Sequence, residues 1–453
     1  MSMFKQEEIV QFLKNYGFIY PDSEIYGGLS NAWDYGPVGV LLKNNLKNVW
    51  WTEFVTKTKN AVGLDCAIIN NPKTYIASGH LANFSDPLID CKYCKQRFRA
   101  DKLLEEKNIS ASESMSNEHL LDLIKQNNIV CPNCGKMEWT PIKKFNLMFK
   151  TFIGVTEDTL NTVYLRPETC QPIFTNFANV VRTSRMKLPF SICQIGKSFR
   201  NEISPGNFIF RTREFEQMEI EYFTHSEQSM DDFEMWLKKI KNFLFNTLEM
   251  DEKNFVFHNI PDGERAFYSK KTIDIEYAFP FGTKELWGLA HRGTYDLEQH
   301  IKHSNADLTY FDPNTNKRTI PEVIEPSVGL DRLFYAIICD KYSIEKVNDE
   351  EREVLHLPFN LAPYKVSVLP LANKLSAQSE EIFNMLLNNN ISSNYDSSGS
   401  IGKRYRRADA IGTPFCVTID FDTEKDGCVT IRNRDSMKQE RIKIENILNF
   451  IKK

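Results

Sequence analysis

The chain has 453 residues, 42% of them hydrophobic and 26% charged, with a formal net charge of −4. That length allows two or three domains with real cores, and the composition excludes a disordered or fibrous chain. Near charge balance leaves nucleic-acid binding open, because positive charge can be confined to patches. No stretch approaches the roughly 20 apolar residues of a membrane helix, so no membrane association is expected. Glu7, Glu8 and Asp22 interrupt the N-terminal stretch, which argues against a cleaved secretory signal. The cysteines fall as two CxxC pairs and scattered singles, a usage that points to a reducing cytoplasmic setting.

Residues 1–85 hold an amphipathic helix in which Val38, Leu41, Leu42, Leu46, Val49, Trp50 and Phe54 recur at helical spacing. Pro37 stands at its start, where a missing N–H is harmless. Residues 86–145 are polar and read as an inserted subdomain. Cys91-x-x-Cys94 and Cys131-x-x-Cys134 within it have the two-knuckle form of a tetrahedral zinc site, although the 36 residues between the pairs exceed the usual ribbon spacing. Free thiols in two turns, or a redox CxxC, are the alternatives. Two matched pairs flanking one insert suit a structural metal better. Zinc would fix the ends of an insert that otherwise lacks a core, and would position Arg99.

Residues 146–345 alternate in period two, as in Ile273, Ile275, Tyr277 and Phe279, and close on the helical stripe Leu330, Leu333, Phe334, Ile337 and Ile338. The charged stretch Glu345 to Glu353 reads as a linker, assigned to 346–360. From 361 to 453, a strand-like "YKVSVLPL", a helical "AQSEEIFNMLLNN" and later strand patterns suggest an α/β module. It carries the cations Lys403, Arg404, Arg406, Arg407, Arg432, Arg434, Lys438 and Arg441. Such a run is often only a solvated face.

Three segments carry chemistry. In "SFRNEISPGNFIFRTREFEQMEIEYF", Arg200 and Glu202 are two apart in an expected strand, and Phe215, Gln217, Glu219 and Glu221 share a face of the return strand. An arginine can fork onto a phosphate, and an aromatic ring can stack on a base. Alone, such a hairpin is more often a solvated, salt-bridged surface. "LRPETCQPIF" adds Arg166 and Glu168 in a proline-flanked extended stretch. In "IEPSVGLDRLFYAII", Glu325 and Ser327 share a strand face, Gly329 opens a helix and Arg332 lies in its first turn, a ready phosphate site.

These segments resemble the signature motifs of class II aminoacyl-tRNA synthetases. "RPET", "REFEQMEIEYF" and "EPSVGLDR" resemble the glycyl-tRNA synthetase family in particular. The resemblance implies an α+β fold: a catalytic core built on an antiparallel sheet flanked by helices, a Cys-rich insertion and a C-terminal α/β anticodon-binding domain. It implies a homodimer formed through the Pro37 helix and the "CAII" strand. The implied partners are glycine, ATP with Mg²⁺, and tRNA(Gly).

By the same resemblance, Arg200, Glu202 and Arg332 are catalytic. Arg200, Asn201, Glu202, Phe210, Arg211, Phe215, Glu285, Leu286, Gly329 and Arg332 hold ATP. Arg99, Glu168, Phe215, Gln217, Glu219, Glu325, Ser327 and Gly329 form the glycine pocket. Carboxylates converging on an ammonium give charge-assisted bonds and crowd the place of any Cβ, so no editing domain is required. Two positions depart from the family wording. Cys170 and Pro172 replace small residues after Glu168, putting the local backbone in doubt, and Trp287 replaces a smaller or acidic residue near the ATP contacts. A non-catalytic, synthetase-like accessory protein that binds nucleic acid is the rival reading. It is opposed by the presence of Arg200, Glu202, Arg332, Glu168 and Glu325. A class II enzyme for another amino acid is a third, opposed by the carboxylates and "EPSVG".

Overall fold

Apolar alternation builds the central sheet. In the strand Lys271–Phe279 the buried positions are Ile273, Ile275, Tyr277 and Phe279, the four that the period-two pattern marks. The computed structural model describes residues 4–451 apart from 108, 110, 112–114, 267 and 314. Its main sheet orders seven strands as Phe255–Asn259, Lys271–Phe279, Gly282–Gly293, Glu322–Gly329, Glu214–Thr224, Phe190–Phe199 and Ala61–Leu64. All neighbours pair antiparallel except the last two, which are parallel. Helices pack on this sheet, so the fold is the expected α+β.

The helix Pro37–Trp51 starts on Pro37 and continues into the turn Thr52–Thr56. Its Leu42, Leu46 and Trp50, with Phe54, are buried in the chain's own core. These positions of the helix, which the resemblance places at a homodimer contact, are therefore used internally. Gly39 allows the helix to approach the backbone at Phe18, just before the strand Ile19–Pro21, since a Cβ there would lie 1.9 Å from the Phe18 carbonyl oxygen. The helix Leu330–Lys341 buries Leu330, Leu333, Phe334, Ile337 and Ile338 as expected, together with Tyr335 and Ala336. Trp287 is buried too. Its ring lies 6.0 Å from Phe54 and 5.9 Å from Phe243, pointing into the core and away from the adjacent cavity.

Two readings of the sequence are corrected. The cysteine-rich insert has a core of its own, formed by Ile89, Leu103, Leu104, Leu120, Ile124 and Trp139. These come from a strand (Ser85–Asp90), two short helices (Ala100–Glu105 and Asn117–Gln126) and a loop, so the polar run hides a few apolar residues that only the fold gathers. The stretch read as a linker is a hairpin of Tyr342–Val347 and Glu350–Leu355. Its turn residues Asn348 and Asp349 both adopt positive φ, which suits a tight hairpin.

After it, a five-stranded sheet runs in the order Ser393–Tyr395, Val366–Pro370, Phe415–Ile419, Cys428–Asn433 and Gln439–Lys443. Its first pairings are parallel and its last two antiparallel. The helix Ser376–Asn388 packs on it, giving the α/β module its core.

Candidate active site

The strand Glu214–Thr224 sits between Phe190–Phe199 and Glu322–Gly329. Its register sets Glu219 opposite Ser327 and Gln217 opposite Gly329. On the far side of Glu322–Gly329, Ala290 pairs with Glu325. Side chains alternate across a strand, so Phe215, Gln217 and Glu219 reach one cavity together with Glu325 and Ser327. That cavity has a volume of about 280 Å³, and Glu168, Arg200, Arg211 and Arg332 line it as well.

One end is acidic. Glu168 Oε1 accepts from the Cys170 thiol at 2.8 Å and from Gln171 Nε2 at 3.2 Å, with His80 Nε2 at 3.2 Å. Burial would raise its pKa, but His80, Arg292 and the thiol outweigh that and hold it well below the usual carboxylate range. Glu219 is raised by burial and by the charge of Glu168. Glu325 is pushed up to about 8 by burial, reinforced by Glu219 and Glu168 and opposed by Arg292. This is a pocket short of positive charge, and a cationic ligand would relieve it.

The other end is cationic. The strand Phe190–Phe199 stops before Arg200, so Arg200 and Glu202 lie on the following turn and not on a shared strand face. Arg200 sits between the rings of Phe84 and Phe215, 5.2 and 5.3 Å away, and donates to the Pro167 carbonyl. Arg211 pairs with Glu202 at 3.5 Å. Arg332 lies 4.2 Å over the Phe210 ring and bonds Glu285. Asn31 holds the intervening loop through the carbonyls of Phe208 and Arg211.

Not every expected residue reaches this cavity. Leu286 and Gly329 line it, but Asn201 does not. Arg99 lines a neighbouring cavity of about 640 Å³ that shares Phe210, Arg211, Glu285 and Arg332, and it is paired with Asp86 and Asp101. Arg166 is a buried brace on the Cys66 and Lys197 carbonyls. Pro172 sits in the first turn of the helix Cys170–Ser184, where no N–H is needed, so the doubt about this backbone is resolved.

Sequence reasoning missed three groups. Arg292 bonds Asp296 at 2.7 and 2.9 Å and Glu325 at 2.7 Å, supplying the buried cation among the carboxylates. Gln171 links Glu168 to Asp296 and His300. Asp331 accepts from Lys43 at 3.0 Å and from the Glu216 amide at 2.7 Å, while Lys43 also meets Glu216 at 3.2 Å. That buried triad ties the Pro37 helix, the hairpin strand and the Arg332 helix together. Arg292 in "AHR" and Asp331 in "GLDR" were visible as charged residues in otherwise apolar segments, which was the available signal.

In the insert, Cys91, Cys94, Cys131 and Cys134 converge with all four sulfurs within 4.8 Å of one another. The Cys91–Cys134 and Cys94–Cys131 separations are each 3.6 Å. A tetrahedral zinc with ~2.3 Å bonds sets its sulfurs ~3.8 Å apart, so the donor set fits.

Residues 151–352 match the model of the class II tRNA synthetase core domain (G, H, P, S and T), and residues 365–453 that of the anticodon binding domain. The glycine–tRNA ligase of Ureaplasma urealyticum is 57% identical over 448 residues, covering 98% of this chain and 95% of the relative. That of Malacoplasma penetrans is 58% identical, with 98% and 96% covered. That of Clostridium perfringens is 54% identical, with 99% and 98% covered. The chain belongs to the glycine–tRNA ligase family.

Within this glycine–tRNA ligase family member, the stretch that matches the anticodon binding domain shows less free positive charge than its sequence promises. Arg404 is buried on the Pro370 and Asp396 carbonyls, Arg407 pairs with Asp396, and Arg432 forks onto Asp409. Arg434 bonds Asp435 and two carbonyls, and Arg441 pairs with Asp420 and Asp426. Lys403 and Lys438 are exposed, and Arg406 is half-buried.

Proposed function

We propose that this chain is an ATP-dependent glycine–tRNA ligase that forms glycyl-adenylate and passes the glycyl group to the tRNA 3′ end. One observation carries the reading: a single cavity joins a cluster of carboxylates to a set of arginines. Glu168, Glu219 and Glu325, with Ser327, take the ammonium group of glycine. Arg200 takes the α-phosphate, Arg211 and Arg332 the outer phosphates, and Phe215 the adenine ring. The glycine carboxylate attacks the α-phosphorus and pyrophosphate leaves. The tRNA terminal hydroxyl then attacks the adenylate carbonyl and AMP leaves. No side chain need act as nucleophile, because alignment and charge stabilisation do the work. Glu202 and Glu285 offer hard oxygen ligands beside the phosphate arginines, and would hold Mg²⁺. The ion would neutralise charge on the phosphate oxygens.

Zinc on the four insert cysteines is the structural metal in this reading, supported by their geometry. A homodimer is part of it as well. The support is the loop carrying Ile25, Tyr26 and Leu29, which are 87%, 86% and 62% exposed, in place of the helix face first considered. A cytoplasmic location is part of it too, supported by ten cysteines of which none forms a disulfide. No helix among the described residues is long and apolar enough to cross a membrane.

Isotope exchange between ATP and pyrophosphate tests the reading. Exchange that depends on glycine supports it. No exchange with any amino acid would point to the accessory protein, and exchange with alanine or serine but not glycine to another specificity.

A further inference from the structure

Beneath the carboxylates that face the cavity lies a layer that adenylate chemistry does not use. Glu221 follows Glu219 by two residues on the same strand face. It is fully buried, and neither of its oxygens has a hydrogen-bond partner among the described residues. A buried carboxylate without donors bears the whole loss of its hydration, so native structures almost always give such a group a partner. The groups beside it are the Cys170 sulfur, buried at the start of its helix, and a carboxylate oxygen of Glu325. These three donor atoms lie within 4.8 Å of one another.

Three atoms so spaced share a centre roughly 2.8 Å away or nearer, a few tenths of an ångström beyond zinc–sulfur and zinc–oxygen bond lengths. A small inward rotation of the side chains closes the set. One thiolate with two carboxylates suits a thiophilic divalent ion, whereas magnesium and calcium prefer oxygen alone. Glu325 also lines the cavity, so an ion can enter from there and keep a fourth position open towards it.

We propose that Cys170, Glu221 and Glu325 form an inhibitory site for a thiophilic divalent cation, which takes the place of the glycine ammonium group. The proposal rests on the glycine reading of the cavity. Binding breaks the Cys170 S–H bond, and the sulfur keeps the electron pair and bonds the ion. That proton, and those that burial keeps on Glu221 and Glu325, leave to water through the cavity as the two carboxylates bond the ion. Glu325 is withdrawn from the ammonium and Glu168 loses a donor, while Arg200 and Arg332 are untouched. Inhibition is therefore competitive with glycine and indifferent to ATP.

Glycine-dependent exchange with cadmium chloride as the probe, at saturating magnesium and ATP, tests this. The apparent KM for glycine should rise with cadmium while the KM for ATP stays constant. With each variant compared to its own uninhibited rate, Cys170→Ala should need about tenfold more cadmium for half-inhibition, and Glu221→Gln should shift the same way. Cys170→Ser serves if the alanine variant folds poorly. Sulfur-to-cadmium charge-transfer absorption should be smaller in the Cys170 variants by one thiolate, because the insert cysteines are common to all. Inhibition that glycine does not relieve, or equal cadmium sensitivity and absorption in the Cys170 variants, overturns the proposal. Absence of glycine-dependent exchange before any cadmium is added overturns the functional reading instead, and the absorption difference still decides whether the ion binds.

Discussion

Replacing Glu168 by Gln removes one negative charge from the acidic end of the cavity while keeping the side chain's size. The amide oxygen can still accept from Cys170, Gln171 and His80, the three groups that now converge on Glu168 Oε1, so the local fold should survive. What is lost is the charge an incoming ammonium meets. A hydrogen bond to a charged group contributes about 1.5–3 kcal/mol. At ~1.36 kcal/mol per decade, that lowers kcat/KM for glycine by about 10- to 150-fold. The KM for ATP should not move, because Arg200, Arg211 and Arg332 sit at the opposite end. Pyrophosphate exchange with glycine varied at saturating ATP, then with ATP varied at saturating glycine, separates the two. Glu168→Ala, which also strips His80 and Gln171 of their acceptor, should abolish glycine activation in a folded protein. An unchanged glycine KM in the Gln variant, or an equal loss towards ATP, would refute the assignment of Glu168 to the ammonium.

Glu325 stands at about 8 in the free pocket, raised by burial and by its neighbouring carboxylates. A bound ammonium would lower it, so glycine binding should release a proton. The ligand favours the ionised form, so affinity should rise with pH through that value and level off above it, by up to about tenfold per unit on the acid side. A flat profile of glycine KM across that range would remove Glu325 from the ammonium site. Gly39→Ala drives a Cβ to 1.9 Å from the Phe18 carbonyl, a backbone atom that cannot swing aside. It should cost about 1–3 kcal/mol or more, read as a lowered Tm; an unchanged Tm would mean that the helix and the Phe18 backbone separate freely. Stripping zinc by chelation, or Cys131→Ser, should speed proteolysis within residues 86–145 and leave the seven-stranded and five-stranded sheets resistant. Equal digestion of metal-free and metal-loaded protein would deny the metal its structural role.

The sequence showed its strands where one face is dry. Ile273 to Phe279 alternate because one side of that strand packs on the core, and the Glu325 and Leu330 patterns were legible for the same reason. It failed where the covered face is charged. Glu345 to Glu353 looked like a linker because the residue buried within that stretch is Arg352, whose guanidinium is satisfied by Asp409, Glu345 and the Arg434 carbonyl. Arg292 was passed over for the same cause: its partners Asp296 and Glu325 lie on other elements, and only the folded register brings them within 2.7 Å. Strand spacing put Glu219 on the face of Phe215 and Gln217, and Glu325 on that of Ser327, while their place in one pocket with Glu168 was implied by the resemblance alone. That Arg200 lies past the strand end, and Arg99 in the next cavity, depends on where strands stop and on which acids claim an arginine. Local pattern does not contain that.

The C-terminal module shows what such claims do to a functional reading. Eight cations stood out along its sequence, and five of them, Arg404, Arg407, Arg432, Arg434 and Arg441, are engaged by the module's own acids and carbonyls. A guanidinium already forked onto an aspartate releases little counterion when a phosphate arrives. If Lys403, Arg406 and Lys438 alone meet single-stranded RNA, the logarithmic salt slope from this module is about −2; all eight cations would give about −6. The discrimination expected of an anticodon reader must then come from stacking and base-edge contacts more than from bulk charge, which accords with a chain of net charge −4. Arg352, Asp409 and Arg432 serve a different end. Arg352 and Asp409 are fully buried and fasten the Glu350–Leu355 strand to the module. Removing one partner of such a pair costs about 3–5 kcal/mol, so swinging the module away from the hairpin is opposed by a penalty of that order. The fold thereby fastens the module to the hairpin that directly follows the helix Leu330–Lys341, whose Arg332 lines the candidate cavity.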